Sequence, residues 1–413
     1  MACLYLVRMY RPLLKDVTAA LARCRAVFDK TPLEKNTILS LRHGASVFLK
    51  REDLSPVRSY KIRGALNKMS CIAGSRVVTC SAGNHAQGVA YVCSKLGMGA
   101  DIFMPKITTG QKINKVLGFG GSNVSVFLEG ANFDESYDIA LKHCSGRGLE
   151  FVHPFDDPLV IEGQATVGLE ILEDLSSIDY LFLPVGGGGL SAGVSSIFRS
   201  LSPSTKIIGL EPMGAPSLTK ALSYGGPVKL DTINSFVDGA SVKRVGDLNF
   251  PLCRDGLDAV LLVDEGHVCS KLLQIYNENG LIIEPAGVLS LCALDLMKGE
   301  IGGKTVVSVI SGGNSDVFRM PEILERSLIY EGKKLYFKIE FPQKAGALRE
   351  FIVNVLGGTD DIIYFRYTKH INKEFGPVLL GIETKSREDS FALMGRMKVA
   401  GILYEQILNI NDI

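Results

Sequence analysis

Almost no net charge separates the basic from the acidic residues of this chain: 45 Lys and Arg stand against 44 Asp and Glu, a formal +1. Without a basic excess there is no global electrostatic case for nucleic acid or an acidic partner. Paired cysteines are missing as well. The nine cysteines run from Cys3 to Cys292, an odd number with no C-x-x-C spacing, which argues against both a disulfide framework and a zinc site and fits a reducing cytosol. No apolar run reaches membrane-spanning length. The N-terminal stretch Ala2 to Val7 stops at Arg8, too short for the core of a signal peptide. The expectation is a soluble, cytoplasmic protein. His85, His143, His153 and His267 show no H-x-x-x-H or triad-like spacing, so they read as structural or surface residues.

What is present is length and alternation. With 413 residues the chain has room for two or three domains with large apolar cores. From about residue 46 to 310, short β-branched runs alternate with amphipathic helical patterns; the runs are Ser46–Leu49, Arg76–Thr79, Ala100–Met104, Val124–Phe127, Tyr180–Leu183, Lys206–Gly209, Ala259–Leu262 and Val306–Val309. Such alternation predicts an α/β fold with a parallel sheet, whose ligands bind at the carboxyl ends of strands. Beyond Arg319 the pattern changes. An alternating strand Leu335–Phe341, a helical stretch Leu348–Leu356, a strand Ile363–Tyr367, a Gly376-Pro377 turn, a strand Val378–Ile382, a helix from Arg387 to Val399 and a short last strand read as β-α-β-β-α-β, a ferredoxin-like unit. It carries no candidate nucleophile or metal cluster, which suggests a regulatory or assembly role.

The strand-end loops carry the chemistry. Lys61 lies in Arg58-Ser59-Tyr60-Lys61-Ile62-Arg63-Gly64-Ala65 at the first turn of a helix, with Ile62, Ala65, Leu66, Met69 and Ile72 at helical spacing and Ser59 as N-cap. The positive end of a helix disfavours an ammonium, so Lys61 suits Schiff-base chemistry; the plainer reading is a solvated lysine on an amphipathic helix. Gly186, Gly187, Gly188 and Gly189 join the strand Leu181–Val185 to a helix beginning near Leu190, so their amides can converge on a phosphate; the plainer reading is a flexible linker. Ser81-Ala82-Gly83-Asn84-His85 opens another helix and forms a second anion pocket, suited to a carboxylate, or an ordinary capped helix start. Ser311, in Ser311-Gly312-Gly313-Asn314, is a turn residue whose hydroxyl can also donate to a ring nitrogen. A Schiff-base lysine, an amide cradle, a carboxylate pocket and a ring-nitrogen donor are together what pyridoxal phosphate and an amino acid require.

Two overlapping motifs compete. Gly187 to Ala192 matches G-x-G-x-x-A, with Glu211 at the end of the next strand as a dinucleotide-binding acid, but this leaves Lys61 unexplained. Gly189-Leu190-Ser191-Ala192-Gly193 matches G-x-S-x-G, but Ser191 falls inside the helix and not on the turn.

The runs Lys50-Arg51-Glu52-Asp53-Leu54, Ser59–Ala65, Ser81–Gly88, Pro184–Leu190, Glu284-Pro285-Ala286-Gly287 and Ser311–Asn314 resemble the fold-type II pyridoxal-phosphate enzymes, and among them the short biosynthetic threonine dehydratases. Phe341–Arg349 resembles the start of that family's ACT-like regulatory domain. The resemblance implies a two-lobed catalytic region over residues 1–326, its smaller lobe roughly 50–150, and an ACT-like domain over 327–413. It implies that Lys61 bonds the cofactor and then takes the Cα proton of threonine. Gly186 to Gly189 with Leu190 would hold the cofactor phosphate, Asn84 would meet the ring hydroxyl and Ser311 the ring nitrogen. Ser81, Ala82, Gly83, Asn84 and His85 would receive the substrate carboxylate. The implied reaction is loss of water and ammonia from L-threonine to give 2-oxobutanoate, with L-serine a secondary substrate. A branched-chain amino acid would be the effector and a homo-oligomer, a tetramer by resemblance, the assembly. Ala82 stands where the racemases of this fold carry a serine acid/base, so racemisation is expected to be poor. Around Glu211, Ala215 and Ser217 leave one carboxylate, so no divalent metal is expected. Remaining alternatives are a catabolic serine/threonine dehydratase, a nicotinamide-dependent oxidoreductase and a silent amino-acid sensor.

Overall fold

A computed structural model describes residues 10–367 and 374–407; the Ala2–Val7 stretch lies outside the described residues. The chain divides into two compact units, one holding residues up to Glu265 together with Ile275–Ser315, the other Gly266–Gln274 with the residues from Asp316 onward.

The first unit contains two sheets. Its strands are β1 (Leu33–Lys35), β2 (Ser46–Arg51), β3 (Arg76–Cys80), β4 (Gly99–Met104), β5 (Val124–Leu128), β6 (Glu150–Phe151), β7 (Tyr180–Pro184), β8 (Lys206–Pro212), β9 (Ala259–Val263) and β10 (Thr305–Ile310). The larger sheet runs β1-β2-β10-β7-β8-β9 and the smaller β5-β4-β3-β6. All pairings are parallel except that of β1 with β2. Every strand expected from sequence in this unit is present. The short β1 and β6 escape periodicity because two or three residues cannot show it.

Parallel strands are covered on both faces, which is why β7, β8 and β10 read as near-continuous apolar runs. Val167, Ile171, Leu181, Leu183, Val194, Phe198, Val307 and Val309 form one core of the larger lobe. Ile62, Ala65, Leu66 and Met69 join Val89, Ala100 and Ile102 in the core of the smaller lobe. The topology places the candidate loops together: the Lys61 segment follows β2, Ser311 follows β10 and Gly186 follows β7, on three neighbouring strands. Ser81 follows β3, whose neighbour β6 leads into His153.

The second unit is a four-stranded antiparallel sheet of β11 (Lys334–Pro342), β12 (Asp361–Tyr367), β13 (Phe375–Glu383) and β14 (Tyr404–Ile407) in the order β12-β13-β11-β14. Read within the unit this is 4-1-3-2, the ferredoxin-like order, with helices Ala347–Asn354 and Arg387–Val399 between strands. Phe337, Ile339, Phe351, Leu380, Leu393 and Met397 fill its core. One local expectation fails. Gly376 and Pro377 lie inside β13, opposite Phe341 and Glu340, and not in a turn. An antiparallel strand turns alternate N–H groups away from a given neighbour, so a proline is accommodated where its nitrogen has no acceptor to meet.

Candidate active site

Lys61 is the first residue of helix Lys61–Ser70. The turn before it is stitched together: Ser55 Oγ accepts from Ser59 N at 2.9 Å and donates to Ser59 O at 2.8 Å. Tyr60 N donates to Ser311 O at 3.1 Å, and Gly313 N donates to Arg58 O at 2.9 Å. Arg58 takes a positive φ of 57° to make this path. Ser59 is not the N-cap; Tyr60 occupies that position without a side-chain cap, and Ser59 Oγ accepts from Lys61 N at 3.3 Å. Ile72 falls beyond the end of the helix and packs on the same core from the following turn.

The Lys61 amine donates to Pro154 O at 2.8 Å, with the rings of Tyr60 and Phe155 centred 5.3 and 5.9 Å away. Burial pulls its pKa from the ordinary lysine value down to about 8, partly opposed by the Glu284 carboxylate. Desolvation is thus the leading cause, where sequence pointed to the helix terminus.

The four glycines leave β7 and enter helix Gly189–Leu201. Gly188 caps that helix at φ 91°, a left-handed conformation that favours glycine. A Cβ on Gly187 would come within 2.4 Å of the Phe155 ring. A small cavity of about 40 Å³ lies between these glycines and Lys61, lined also by Tyr60, Phe155, Leu190, Gly239 and Val242. Its chemistry is asymmetric: a nucleophilic amine at one side, and at the other a side-chain-free backbone at a helix N-terminus. That donor set fits an aldehyde-bearing phosphate ester.

The Ser81–His85 loop opens a helix, as expected from sequence. Gly83 caps helix Asn84–Leu96, and Ser81 Oγ accepts from Gly83 N at 3.2 Å. Asn84 Nδ2 donates to Glu284 Oε1 at 2.6 Å, and Asn84 Oδ1 accepts from Asn314 Nδ2 at 2.8 Å. His85 is buried and faces Val152 O at 3.0 Å. Burial, with Lys61 adding, lowers its pKa to about 3, so the neutral ring donates through Nε2 to Val152 O. Ala82 is half-buried against the small-lobe core. Ser311 is buried, its hydroxyl donating to Ala286 O at a long 3.3 Å.

Sequence reasoning left Glu284 without a role and overlooked Pro154 and Phe155. Glu284 receives Asn84 and, at 3.1 Å, the amide of Asn314; burial, with Asp238 adding, raises its pKa to about 7. Pro154 and Phe155 follow β6, and the strand-end rule would have reached them had so short a strand been legible. The competing motifs find no support. Glu211 is buried and accepts from Leu218 N, Thr219 N and Thr219 Oγ1 at 2.7–2.8 Å, which ties it to the start of helix Ser217–Tyr224. Ser191 Oγ donates to Pro184 O at 3.1 Å from within its helix. Among the described residues no group of three His, Cys, Asp or Glu side chains is placed to hold a metal ion, and no helix is long and apolar enough to cross a membrane.

Comparison with known proteins decides among the readings. Residues 26–312 match the family model described as pyridoxal-phosphate dependent enzyme, and residues 325–412 match that of the C-terminal regulatory domain of threonine dehydratase. The chain is 49% identical to the biosynthetic L-threonine dehydratase IlvA of Halalkalibacterium halodurans, over 95% of this chain and 96% of that protein. The chain belongs to the threonine dehydratases of the pyridoxal-phosphate dependent enzyme family. The Bacillus subtilis protein of the same name is 46% identical over 97% of this chain and 96% of its own length. Among solved structures, the processed form of threonine deaminase isoform 2 from Solanum lycopersicum superposes with a TM-score of 0.71 at 37% identity, covering 76% of this chain and 94% of that one. The family's cofactor is pyridoxal phosphate.

Proposed function

We propose that this chain converts L-threonine to 2-oxobutanoate and ammonia at the first step of isoleucine synthesis, with L-serine as a poorer substrate. The observation that carries the proposal is the depressed Lys61 amine facing a bare glycine cradle across one cavity, in a chain closely related to biosynthetic threonine dehydratases. Pyridoxal phosphate, when bound, supplies an aldehyde that condenses with an amine and a conjugated ring that delocalises the electron pair left at the substrate Cα.

The residues divide the remaining work. Gly186 to Gly189 and Leu190 anchor the phosphate through backbone N–H groups, so no cation is needed there. Asn84, held between Glu284 and Asn314, orients the ring hydroxyl. Ser311 would meet the ring nitrogen with a hydroxyl that, unlike a carboxylate, need not hold it protonated, and the weaker electron sink would favour elimination. Ser81, Gly83 and the amides of Ala82, Asn84 and His85 receive the substrate carboxylate. Lys61, as the free amine, would take the Cα proton and, as the ammonium, return it to the departing β-hydroxyl, which would leave as water. The enamine released then hydrolyses to 2-oxobutanoate and ammonia. With Ala82 offering no acid on the opposite face, elimination outruns racemisation.

We assign catalysis to residues 1–326 and regulation to 327–413, where a branched-chain amino acid, isoleucine, acts as inhibitor within a cytoplasmic homo-oligomer, a tetramer. Purified protein given threonine is expected to yield 2-oxobutanoate, and borohydride to fix the cofactor on the peptide holding Lys61. A colourless protein that binds a nicotinamide nucleotide would overturn the assignment. Truncation after Tyr330 should abolish inhibition by isoleucine and spare activity; inhibition that survives truncation places the effector elsewhere.

A further inference from the structure

By spacing alone His153 reads as a structural histidine, but the fold sets it at the head of a turn that touches both halves of the cofactor cavity. His153 Nδ1 accepts from Phe155 N at 3.2 Å and from Asp156 N at 2.7 Å. A backbone N–H can only donate, so Nδ1 must present its lone pair and the ring proton resides on Nε2. The ring stays neutral at physiological pH because burial holds its pKa down to about 4, with Lys61 adding and Asp157 opposing.

The residues shaped by those two bonds reach in opposite directions. Pro154 O accepts from the Lys61 amine at 2.8 Å. The Phe155 ring packs where a Cβ on Gly187 would fall. Asn249 Nδ2 donates to Phe155 O at 3.0 Å and to Gly187 O at 2.8 Å, fastening the turn to the glycine loop. The Asp156 carboxylate accepts from Asp247 N and Leu248 N, each at 2.9 Å, fixing the segment that carries Asn249. Residues 153–156 therefore form a continuous bridge from the Lys61 amine to the glycine cradle.

We propose that His153 is a positioning residue: its Nδ1 lone pair holds the amides of Phe155 and Asp156 and so sets the separation between the Lys61 amine and the glycine cradle. This rests on the reading of Lys61 and the cradle as the two anchors of the cofactor. A purely structural role predicts something different. The imidazole packs edge-on against Phe155, with centroids 4.7 Å apart, and against Tyr137 at 5.9 Å, and a phenyl ring would serve that packing as well.

The two roles separate by substitution. His153→Phe keeps an aromatic ring and removes the acceptor; His153→Asn removes the ring and keeps an oxygen able to accept from amides two and three residues on, as in an Asx-turn. In full-length protein stripped of cofactor, pyridoxal phosphate is titrated by absorbance and the fraction fixed on Lys61 by borohydride is measured on the peptide. The Phe variant should bind roughly tenfold or more weakly and the Asn variant within about threefold of the parent, as expected for a lost and a retained hydrogen-bond acceptor. Equal affinity of the Phe variant and the parent overturns the proposal, as does equal loss in the Asn and Phe variants. Should the Phe variant fail to fold, His153→Ala replaces it: weak binding by Ala with Asn spared supports the role, and Ala and Asn alike in affinity refute it. Threonine turnover by the parent is read separately. A parent that binds the cofactor but leaves threonine intact defeats the proposed reaction, while the comparison of affinities still decides the role of His153.

Discussion

Arg63, two residues after Lys61 on the same helix, is wholly buried in a network of charges. Its guanidinium donates to Glu52 at 2.7 and 2.9 Å, to Glu170 at 2.7 and 3.0 Å, and to the Thr31 and Thr166 hydroxyls at 3.0 Å each. Lys50 donates to Glu170 at 2.6 Å. The four ionised groups balance, with Lys50 and Arg63 against Glu52 and Glu170. Arg63→Met keeps an unbranched apolar stem, removes the guanidinium and leaves one buried negative charge without a partner. Removing one member of a buried pair costs about 3–5 kcal/mol, chiefly because the remaining charge stays desolvated. Arg63→Met is therefore expected to lose about 3–5 kcal/mol in urea unfolding of the catalytic unit, read as a lower midpoint at unchanged slope. Arg63→Met combined with Glu170→Gln restores neutrality, and the double variant should be more stable than the single by about 1 kcal/mol or more, a non-additive pair. A single variant that loses less than about 1 kcal/mol, or a double variant whose losses simply add, refutes the reasoning.

The remaining predictions concern the site. Only the neutral Lys61 amine is nucleophilic, so in cofactor-free protein its acylation rate should climb with pH and level off above about 8; a midpoint at the ordinary lysine value would contradict the desolvated pocket. Glu284 favours the Lys61 ammonium, so Glu284→Gln should move that midpoint lower, and a move upward would count against the electrostatic assignment. Gly187→Ala sets a methyl group within 2.4 Å of the Phe155 ring and should cost about 1–3 kcal/mol of overpacking together with most of the cofactor affinity; an unchanged affinity would mean that the loop has slack. Ala82→Ser should add measurable racemisation of serine, followed by chiral chromatography, whereas no D-serine would place the second acid elsewhere.

The site was legible wherever local chemistry is unusual. Four successive glycines between an apolar strand and a helix, and a lysine at a helix start, stand out without any neighbour being known. Glu284 is silent in its motif, because what makes it informative is a partner 200 residues away, Asn84, and the burial that raises its pKa. His153 was passed over for the same reason: its lone pair is spent on two amides, and nothing in spacing reports that. The cap position falls on Tyr60 and not Ser59, in a turn bonded locally by Ser55 and across the fold by Ser311.

Sequence by itself determined the strands and helices of the parallel sheets, the change to an antiparallel ferredoxin-like unit near Arg319, and the residue types offered by the strand-end loops, because periodicity and residue chemistry are local properties. Tertiary structure alone decided which of those groups face one another and in what state of ionisation. Bringing the ends of β2, β7 and β10 side by side encloses Lys61, and it is removal from water, a property of the packed assembly, that brings its ammonium closer to the nucleophilic amine form.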